Sequence, residues 1–309
     1  MPQREDLLDA PYYHLVATLP HELNPIIYCN QKELYGLLFR SASETVLELA
    51  SDSKYLGLKP GFISILHTWP SDMRYHPHLH LLILGGGLGD DCCWREKGND
   101  FFLPVEVISP VFRGKFLAGL KELRGFNHLV YAGQAKKYQN YYEYQELLNT
   151  CYKKNWVVYC KESFAGAESV LEYIGRYTHR IAISNSRILS KDDRNVTFKV
   201  KDSKKRGTWK EVTVTGVEFI RRYLMHVLPI RFVKIRHYGL WSNRNKKTRI
   251  TLCRNLIGCK TYLSRLKCLD SSGILKELYG IDVSICSCCG GPLRSRQVPY
   301  TLRNLIRVL

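Results

Sequence analysis

Histidines occupy every second position where the sequence HPHLHLLILGGG, residues 76–87, runs into an apolar segment. In a β-strand, side chains two positions apart share one face, so His78 and His80 would point the same way while the leucines between and after them point into a core. Imidazoles side by side on a sheet face are suitable ligands for a divalent metal ion. The spacing therefore predicts a metal site with His78 and His80 as two of its ligands.

A third ligand is expected from the preceding strand. His67 lies near the end of the apolar segment GFISILHTW, residues 61–69, and 11 residues before His78. The turn-forming residues between the two segments favour an antiparallel hairpin, which would return His67 to the side of the pair. The alternative stays open at this point, because a single histidine is more often a structural residue and His-x-His also occurs in hydrolases of other folds.

A pair of tyrosines in EYIGRYTHR, residues 172–180, is the second group that could carry chemistry. Tyr173 and Tyr177 are four positions apart and would lie on one face of a helix. A tyrosine can act as a covalent nucleophile, but its phenol has a reference pKa of about 10 and needs help to ionise near neutral pH. Arg176 and Arg180 lie close by and would favour a phenolate or a phosphate there. Aromatic residues at this spacing are more often core residues, so the pair alone does not distinguish a catalytic role from a structural one.

Strands and helices must position these groups, and the sequence predicts both. Alternating or continuous apolar residues indicate strands, and apolar residues three and four positions apart indicate helices. Strands are predicted in residues 11–19, 61–69, 78–84 and 155–162, a hairpin in 196–214, helices in 31–50, 109–123, 136–150 and 215–228, a helix followed by a strand in 166–184, and a strand leading into a basic loop in 232–247. Helices mixed with antiparallel strand pairs favour an α+β fold.

The charge of the chain is concentrated in its second half. Residues 1–150 hold 14 Lys and Arg against 17 Asp and Glu, whereas residues 151–309 hold 32 against 11, and the formal net charge is +18. A basic half of this size predicts a polyanionic partner, most simply nucleic acid. A membrane partner is disfavoured, because no basic amphipathic helix stands out and no apolar run approaches the roughly 20 residues of a membrane span. The charged start lacks the apolar core of a signal peptide, so we expect a cytoplasmic protein.

Two basic segments are candidate DNA contacts, namely the predicted hairpin tip at 201–207 and the loop at 242–247. Aromatic residues near them could stack on unpaired bases, and the basic residues could follow the phosphates. A solvated turn is the alternative for each charge run. The residues predicted to contact DNA, besides Arg176 and Arg180, are Lys204, Lys205, Arg206, Trp209, Arg236, Tyr238, Trp241, Lys246 and Lys247.

The 11 cysteines are mostly scattered singly, which indicates reduced thiols rather than a disulfide framework. The exception is CSCCGG, where Cys286 and Cys289 have the spacing C-x2-C and are candidate ligands for Zn²⁺. A structural zinc site needs four ligands, and no second C-x2-C follows. Cys253, Cys259 and Cys268 could contribute, and free thiols are the alternative.

Together, the His-x-His and Tyr-x3-Tyr groups resemble the HUH endonucleases in their two-tyrosine form. The segments HLVATLPHELN, LHTWPSDMRYHPHLHLLILGGGL, YIGRYTHRIAISNSRI, EFIRRYLMHVLP and KIRHYGLWSNR are similar to the transposases of the IS91 family, in the same order, from about residue 11 to about residue 250. The resemblance implies an HUH nuclease domain with a central antiparallel sheet flanked by helices. His78 and His80 match the metal-binding histidines, and Tyr173 and Tyr177 match the paired nucleophiles.

The same resemblance implies rolling-circle transposition, in which a tyrosine attacks single-stranded DNA at the transposon ends and target with the help of Mg²⁺ or Mn²⁺. Residues 1–190 would form the catalytic domain, residues 191–250 a basic region contacting DNA, and residues 251–309 a basic C-terminal segment with the C-x2-C cluster. A bacterial, nucleoid-associated protein is expected. No nucleotide cofactor is expected, because GGGLG at 85–89 lacks the Gly-Lys-Ser/Thr ending of a P-loop and is predicted to be a loop.

Two other functions remain open. A conjugative relaxase or rolling-circle replication initiator would use the same site, and a truncated, catalytically inactive remnant would only bind DNA. Members of the IS91 family usually begin with a cysteine-rich zinc-binding domain, whereas the first cysteine here is Cys29. We therefore expect either a truncated copy or a start upstream of Met1.

Overall fold

The computed structural model describes residues 7–89, 91–96, 103–164, 175, 182–202, 205, 207–244, 246–258 and 269–293. The chain divides into two compact units, residues 1–260 and residues 261–309. The strands of the first unit are β1 (Tyr12–Thr18), β2 (Phe62–His67), β3 (His78–Leu84), β4 (Gly86–Leu88), β5 (Trp94–Glu96), β6 (Val158–Phe164), β7 (Ile188–Lys191), β8 (Asn195–Lys201), β9 (Trp209–Thr215) and β10 (Ile235–Tyr238). Its α-helices are α1 (Asn24–Cys29), α2 (Gln31–Ser51), α3 (Val105–Gly125), α4 (Tyr141–Lys153), α5 (Gly216–Leu224) and α6 (Lys246–Ile257), and the second unit contains α7 (Ser271–Tyr279).

The central sheet has five strands in the order β10-β2-β3-β1-β6. Every neighbouring pair is antiparallel. The predicted hairpin of β2 and β3 is confirmed, and β1 pairs with the other edge of β3. The strand with the alternate histidines therefore lies in the middle of the sheet, with a partner on each side. The fold is mixed α and β with a central antiparallel sheet flanked by helices, as the sequence predicts.

One face of this sheet is covered by helices. Leu79, Leu81 and Ile83 of β3 are fully buried there, in a cluster with apolar residues of α2, α3 and α4. Each such side chain contributes roughly 2 kcal/mol through removal of its apolar surface from water. Because strand residues alternate between faces, burial of this set directs His78 and His80 to the other face. We call the two sides of the sheet the helix-covered face and the histidine face.

The histidine face is partly covered at the end of β3 that carries Leu82 and Leu84. Trp241, Ile250 and Cys253 pack there in a second apolar cluster, which also includes Tyr12. The chain reaches this position through a sharp turn at Gly239, where φ is +60° and a Cβ atom would collide with the carbonyl of Pro60. Glycine is needed at this turn because it adopts a positive φ without steric cost.

A second, three-stranded sheet has the order β7-β8-β9. The predicted hairpin at 196–214 is confirmed by the pairing of β8 with β9, and α5 packs on it through Phe219 against Phe198. The edge strand β7 was not predicted, because it is short and mostly exposed and so carries no alternating apolar pattern. Phe198 and Val200 form a small separate core with Met73 and Ala182.

Helices α4 and α5 each differ from the predicted segment at one end. The segment predicted as one helix at 136–150 begins as a 3-10 helix, and α4 begins only after Asn140, whose side-chain oxygen accepts hydrogen bonds from the backbone N–H groups of Tyr142 and Glu143 at 2.8 and 3.3 Å. Asparagine at an N-cap starts a new helix by satisfying these free donors. Helix α5 ends at Leu224, earlier than predicted, and the ring of His226 beyond it bonds to Thr68 and to the carbonyl of Met73.

Two further segments predicted as loops are regular structure. The glycine-rich segment after the histidine strand contains β4, which pairs with β5. A side chain on Gly86 would collide with the ring of Trp94. The basic loop predicted to end at 247 instead leads into α6, which begins at Lys246 and buries Ile250 and Cys253. Among the described residues, no helix has the length and apolar character needed to cross a membrane.

Candidate functional site

Three imidazoles meet on the histidine face. The register places His67 of β2 directly opposite His78 of β3, and His80 follows two positions along the same strand. The ring centroid of His67 is 4.5 Å from that of His80 and 5.5 Å from that of His78. One ring nitrogen from each of the three lies within 4.8 Å of the others, and no other group of three or more His, Cys, Asp or Glu in the described part of the chain could hold a metal ion in this way.

The orientation of the rings suits a single ion. The Nε2 atoms of His78 and His80 are 3.1 Å apart. Two imidazole nitrogens bound to one divalent ion at about 2.1 Å each would lie roughly 3 Å apart at a right angle. The Nδ1 atom of His78 is 2.7 Å from the carbonyl oxygen of His76, so Nδ1–H donates and the lone pair of Nε2 is left toward His80.

Desolvation keeps the imidazoles of His78 and His80 neutral near pH 7. Desolvation lowers the pKa of His78 to about 4, and it lowers the pKa of His80 further still, with the neighbouring imidazoles adding to the effect. A metal ion needs the unprotonated nitrogen as its ligand. The donor set therefore fits a divalent ion, and its role as a metal site stays a prediction.

Three residues that were not predicted from the sequence lie around the cluster, namely His14, Trp69 and His226. His14 of β1 stacks on His80 with the ring centroids 5.1 Å apart. Trp69 stacks on His67 at 5.2 Å and contacts the ring of His226 at 5.5 Å. His14 lies two positions from Val16, which is directly opposite His80, so the strand alternation gives its face, but the pairing of β1 with β3 cannot be predicted from local pattern.

The predicted nucleophiles Tyr173 and Tyr177 lie outside the described residues, together with Arg176 and Arg180. The distance between their side chains and the histidines is therefore not tested, and their role remains a prediction. A different tyrosine lies near the cluster. Tyr159 of β6 is half-exposed, and its ring is 6.4 Å from that of His14 on the histidine face.

The predicted DNA contacts fall into distinct environments. Lys205 at the hairpin tip is exposed, and Lys204 and Arg206 lie outside the described residues. Trp209 is half-exposed at the start of β9, with the guanidinium of Arg187 at 5.6 Å from its ring. Of the two lysines at the start of α6, Lys247 is exposed and Lys246 partly buried.

Three of the predicted DNA contacts pack against aromatic rings. Trp241 is 1% exposed and stacks on Tyr12, so its ring has no free face for a base. Arg236 and Tyr238 alternate with His237 on β10 and lie on the helix-covered face, opposite the histidines. The ring of Tyr238 stacks on that of Phe62 at 5.0 Å. The guanidinium of Arg236 lies 4.2 Å from the ring of Phe39. The prediction is therefore corrected for Trp241, which is buried, and stays a prediction for Arg236 and Tyr238, which are partly exposed.

Replacing Trp241 with Ala is expected to lower the free energy of unfolding by about 3–5 kcal/mol, because it removes a large side chain from a closely packed cluster. Chemical denaturation followed by circular dichroism measures this. Trp209→Ala is the matched control, because that ring is 51% exposed and its loss should change stability by less than about 1 kcal/mol. Equal stabilities for the two variants would contradict the buried role of Trp241.

The cysteine cluster in the second unit forms a tight turn. The backbone N–H of Gly290 donates to the carbonyl of Cys286, and a bridge pairs Ile285 with Pro292. Backbone N–H groups of the following cysteines lower the pKa of the Cys286 thiol. Turns of this kind favour a thiolate. Of the further thiols considered, Cys253 is buried in the first unit, and Cys259 and Cys268 lie outside the described residues, so zinc binding stays a prediction.

The fold and the site define an α+β protein with a histidine cluster on a sheet face, and comparisons with known proteins give its family. Residues 61–249 match the family model Y2_Tnp, described as "Putative transposase". The chain is 41% identical over 257 residues to "Putative transposase y4qJ" of Sinorhizobium fredii, and 25% identical over 249 residues to "Transposase for insertion sequence element IS801" of Pseudomonas savastanoi pv. phaseolicola. The chain belongs to this transposase family, of the IS801 and IS91 type.

These alignments cover 83% and 78% of the chain. They cover 65% of the first relative and 57% of the second, so the chain spans about three fifths of the length of either. No solved structure matches. The family match begins just before β2 and includes the histidine strand and the predicted tyrosine helix.

Proposed function

We propose that this chain nicks and rejoins single-stranded DNA at transposon ends and target, with a tyrosine as nucleophile and a divalent metal ion as cofactor. The observation that supports it most is the convergence of His67, His78 and His80 in a chain of the transposase family. A divalent ion held there would act as a Lewis acid on an oxygen of the scissile phosphate. Nitrogen ligands favour Mn²⁺ over Mg²⁺, and the abundance of each ion decides which is used.

The covalent step uses Tyr173 or Tyr177. The phenolic oxygen, having lost its proton, attacks the phosphorus. The bond from phosphorus to the 3′ oxygen breaks, and that oxygen gains a proton and leaves as a 3′-hydroxyl. The downstream strand stays attached to the tyrosine through its 5′-phosphate. Attack by another 3′-hydroxyl reverses the step, so rejoining needs no nucleotide cofactor as an energy source. A second tyrosine allows a second cleavage before the first covalent intermediate is resolved.

Two alternatives use the same observations. A relaxase or rolling-circle replication initiator would carry out the same cleavage, and the family match favours the transposase. An inactive remnant would bind DNA without cleaving it.

The test incubates the purified chain with a pool of 3′-labelled single strands of random sequence and Mn²⁺, followed by a denaturing gel. We expect label to migrate with the protein, and we expect none when a chelator removes the metal. Binding of the strands without any adduct, in Mn²⁺ and in Mg²⁺, would contradict the proposal and favour the inactive remnant.

Binding to single-stranded DNA should weaken steeply with salt, because each neutralised phosphate releases counterions, with a slope of about −0.7 per contact. Replacing Lys204, Lys205 and Arg206 together with Ser is expected to make the slope of log affinity against log salt less negative by roughly 2. Fluorescence anisotropy of a labelled single strand at several salt concentrations measures it.

The matched control removes three lysines from the acidic half of the chain. Lys121, Lys136 and Lys137 are exposed on α3 and the 3-10 helix before α4. Their replacement should leave the slope unchanged. An equal change in both triple variants would show a general charge effect and would contradict a DNA contact at the hairpin tip.

A further inference from the structure

His14 contacts Nδ1 of His80, the ring nitrogen that faces away from His78. The Nε2 atom of His14 is 2.8 Å from Nδ1 of His80, within hydrogen-bonding distance. The two rings are nearly parallel, with an interplanar angle of 8°. The contact joins β1 to β3 on the histidine face, so it is fixed by the pairing of the two strands.

The position of one proton decides whether His80 can bind a cation. A neutral imidazole carries a single N–H, and a ring that binds a metal through Nε2 must carry its proton on Nδ1. That N–H needs an acceptor, which in metal sites fixes the ring and its tautomer. For His78 the acceptor is the carbonyl oxygen of His76, at 2.7 Å. For His80, Nε2 of His14 lies within hydrogen-bonding distance of Nδ1, at 2.8 Å.

We propose that His14 is a positioning residue whose Nε2 accepts the Nδ1–H of His80, which leaves the Nε2 lone pair of His80 directed toward the metal site. The inference rests on the proposed metal site. It gives His78 and His80 equivalent arrangements, each with Nδ1–H donated to a fixed acceptor and Nε2 turned inward. The two inward nitrogens are then 3.1 Å apart.

The competing arrangement explains why the acceptor matters. In that arrangement the proton of His80 lies on Nε2 and hydrogen-bonds to Nε2 of His78, which is 3.1 Å away. That bond would occupy both ligand nitrogens and oppose a cation. His14 therefore favours the state that can bind metal over a state in which the two histidines bind each other.

The test compares two substitutions in the full chain. His14→Phe keeps a flat ring against His80 but offers no acceptor, and His14→Gln offers an acceptor oxygen at a similar distance from the backbone. Free Mn²⁺ is measured by electron paramagnetic resonance during titration. We expect Mn²⁺ to bind about 10–100-fold more weakly to His14→Phe, and within a few-fold of wild type to His14→Gln. Thermal unfolding of the metal-free variants controls for misfolding.

A readout without a variant comes from ¹⁵N–¹H spectra of the imidazoles in the metal-free wild-type protein. We expect His80 to be protonated on Nδ1. Protonation on Nε2, or wild-type Mn²⁺ affinity in His14→Phe, would overturn the role of His14 while leaving the proposed function in place. Absence of Mn²⁺ binding to the wild-type chain would overturn both.

Discussion

The double substitution Tyr173→Phe, Tyr177→Phe is expected to abolish the covalent protein–DNA adduct altogether. Phenylalanine lacks only the phenolic oxygen, so it removes the proposed nucleophile and changes the volume of the side chain very little. The readout is label that migrates with the protein on a denaturing gel after incubation with single strands and Mn²⁺. The two single variants should differ from each other. One should fail to form the first adduct, and the other should cleave the strand without transferring it.

Tyr159→Phe is the matched control for this experiment. Its phenol is half-exposed and lies on the histidine face, so it is the described tyrosine best placed to act instead. We expect this variant to form the adduct at the wild-type rate. An adduct that survives in the double variant but disappears in Tyr159→Phe would identify Tyr159 of β6 as the nucleophile, in place of the tyrosines of the predicted helix.

The second large effect is expected for His78→Ala, His80→Ala. Removing two of the three proposed ligands should abolish measurable Mn²⁺ binding. It should slow cleavage by about 10³-fold or more, because a Lewis acid at the phosphate contributes several kcal/mol and each 1.4 kcal/mol is a factor of ten. The measurements are Mn²⁺ titration and the rate of adduct formation. Desolvation keeps both imidazoles neutral near pH 7, so alanine leaves no unpaired charge behind.

His128→Ala provides the control for the histidine variants. His128 follows α3 and is exposed, so its loss should change neither Mn²⁺ affinity nor cleavage. Wild-type cleavage by His78→Ala, His80→Ala in the presence of Mn²⁺ would contradict a metal role for the cluster.

The local sequence pattern was enough to predict the two strands that carry the histidine cluster. Alternation put His78 and His80 on one face, and the turn-forming residues after His67 gave the hairpin that returns it to them. The contact of His14 with His80 could not be predicted, because β1 pairs with β3 across more than 60 positions of sequence. Pairing at such distance depends on packing of the whole sheet.

The error at Trp241 has a similar cause. A basic and aromatic segment has the composition of a DNA contact, and composition does not give the direction of each side chain. The turn at Gly239 folds Trp241 back onto Tyr12, and the pairing of β10 with β2 turns Arg236 and Tyr238 to the helix-covered face. Both results depend on contacts with distant strands.

The most direct test of the account is to identify by mass spectrometry the residue that carries DNA after cleavage. The wild-type chain is incubated with single strands and Mn²⁺, digested with nuclease and protease, and its nucleotide-bearing peptide is sequenced. We expect a nucleotide joined through its 5′-phosphate to Tyr173 or Tyr177. A nucleotide on any other residue, or joined through a 3′-phosphate, would contradict the proposed mechanism.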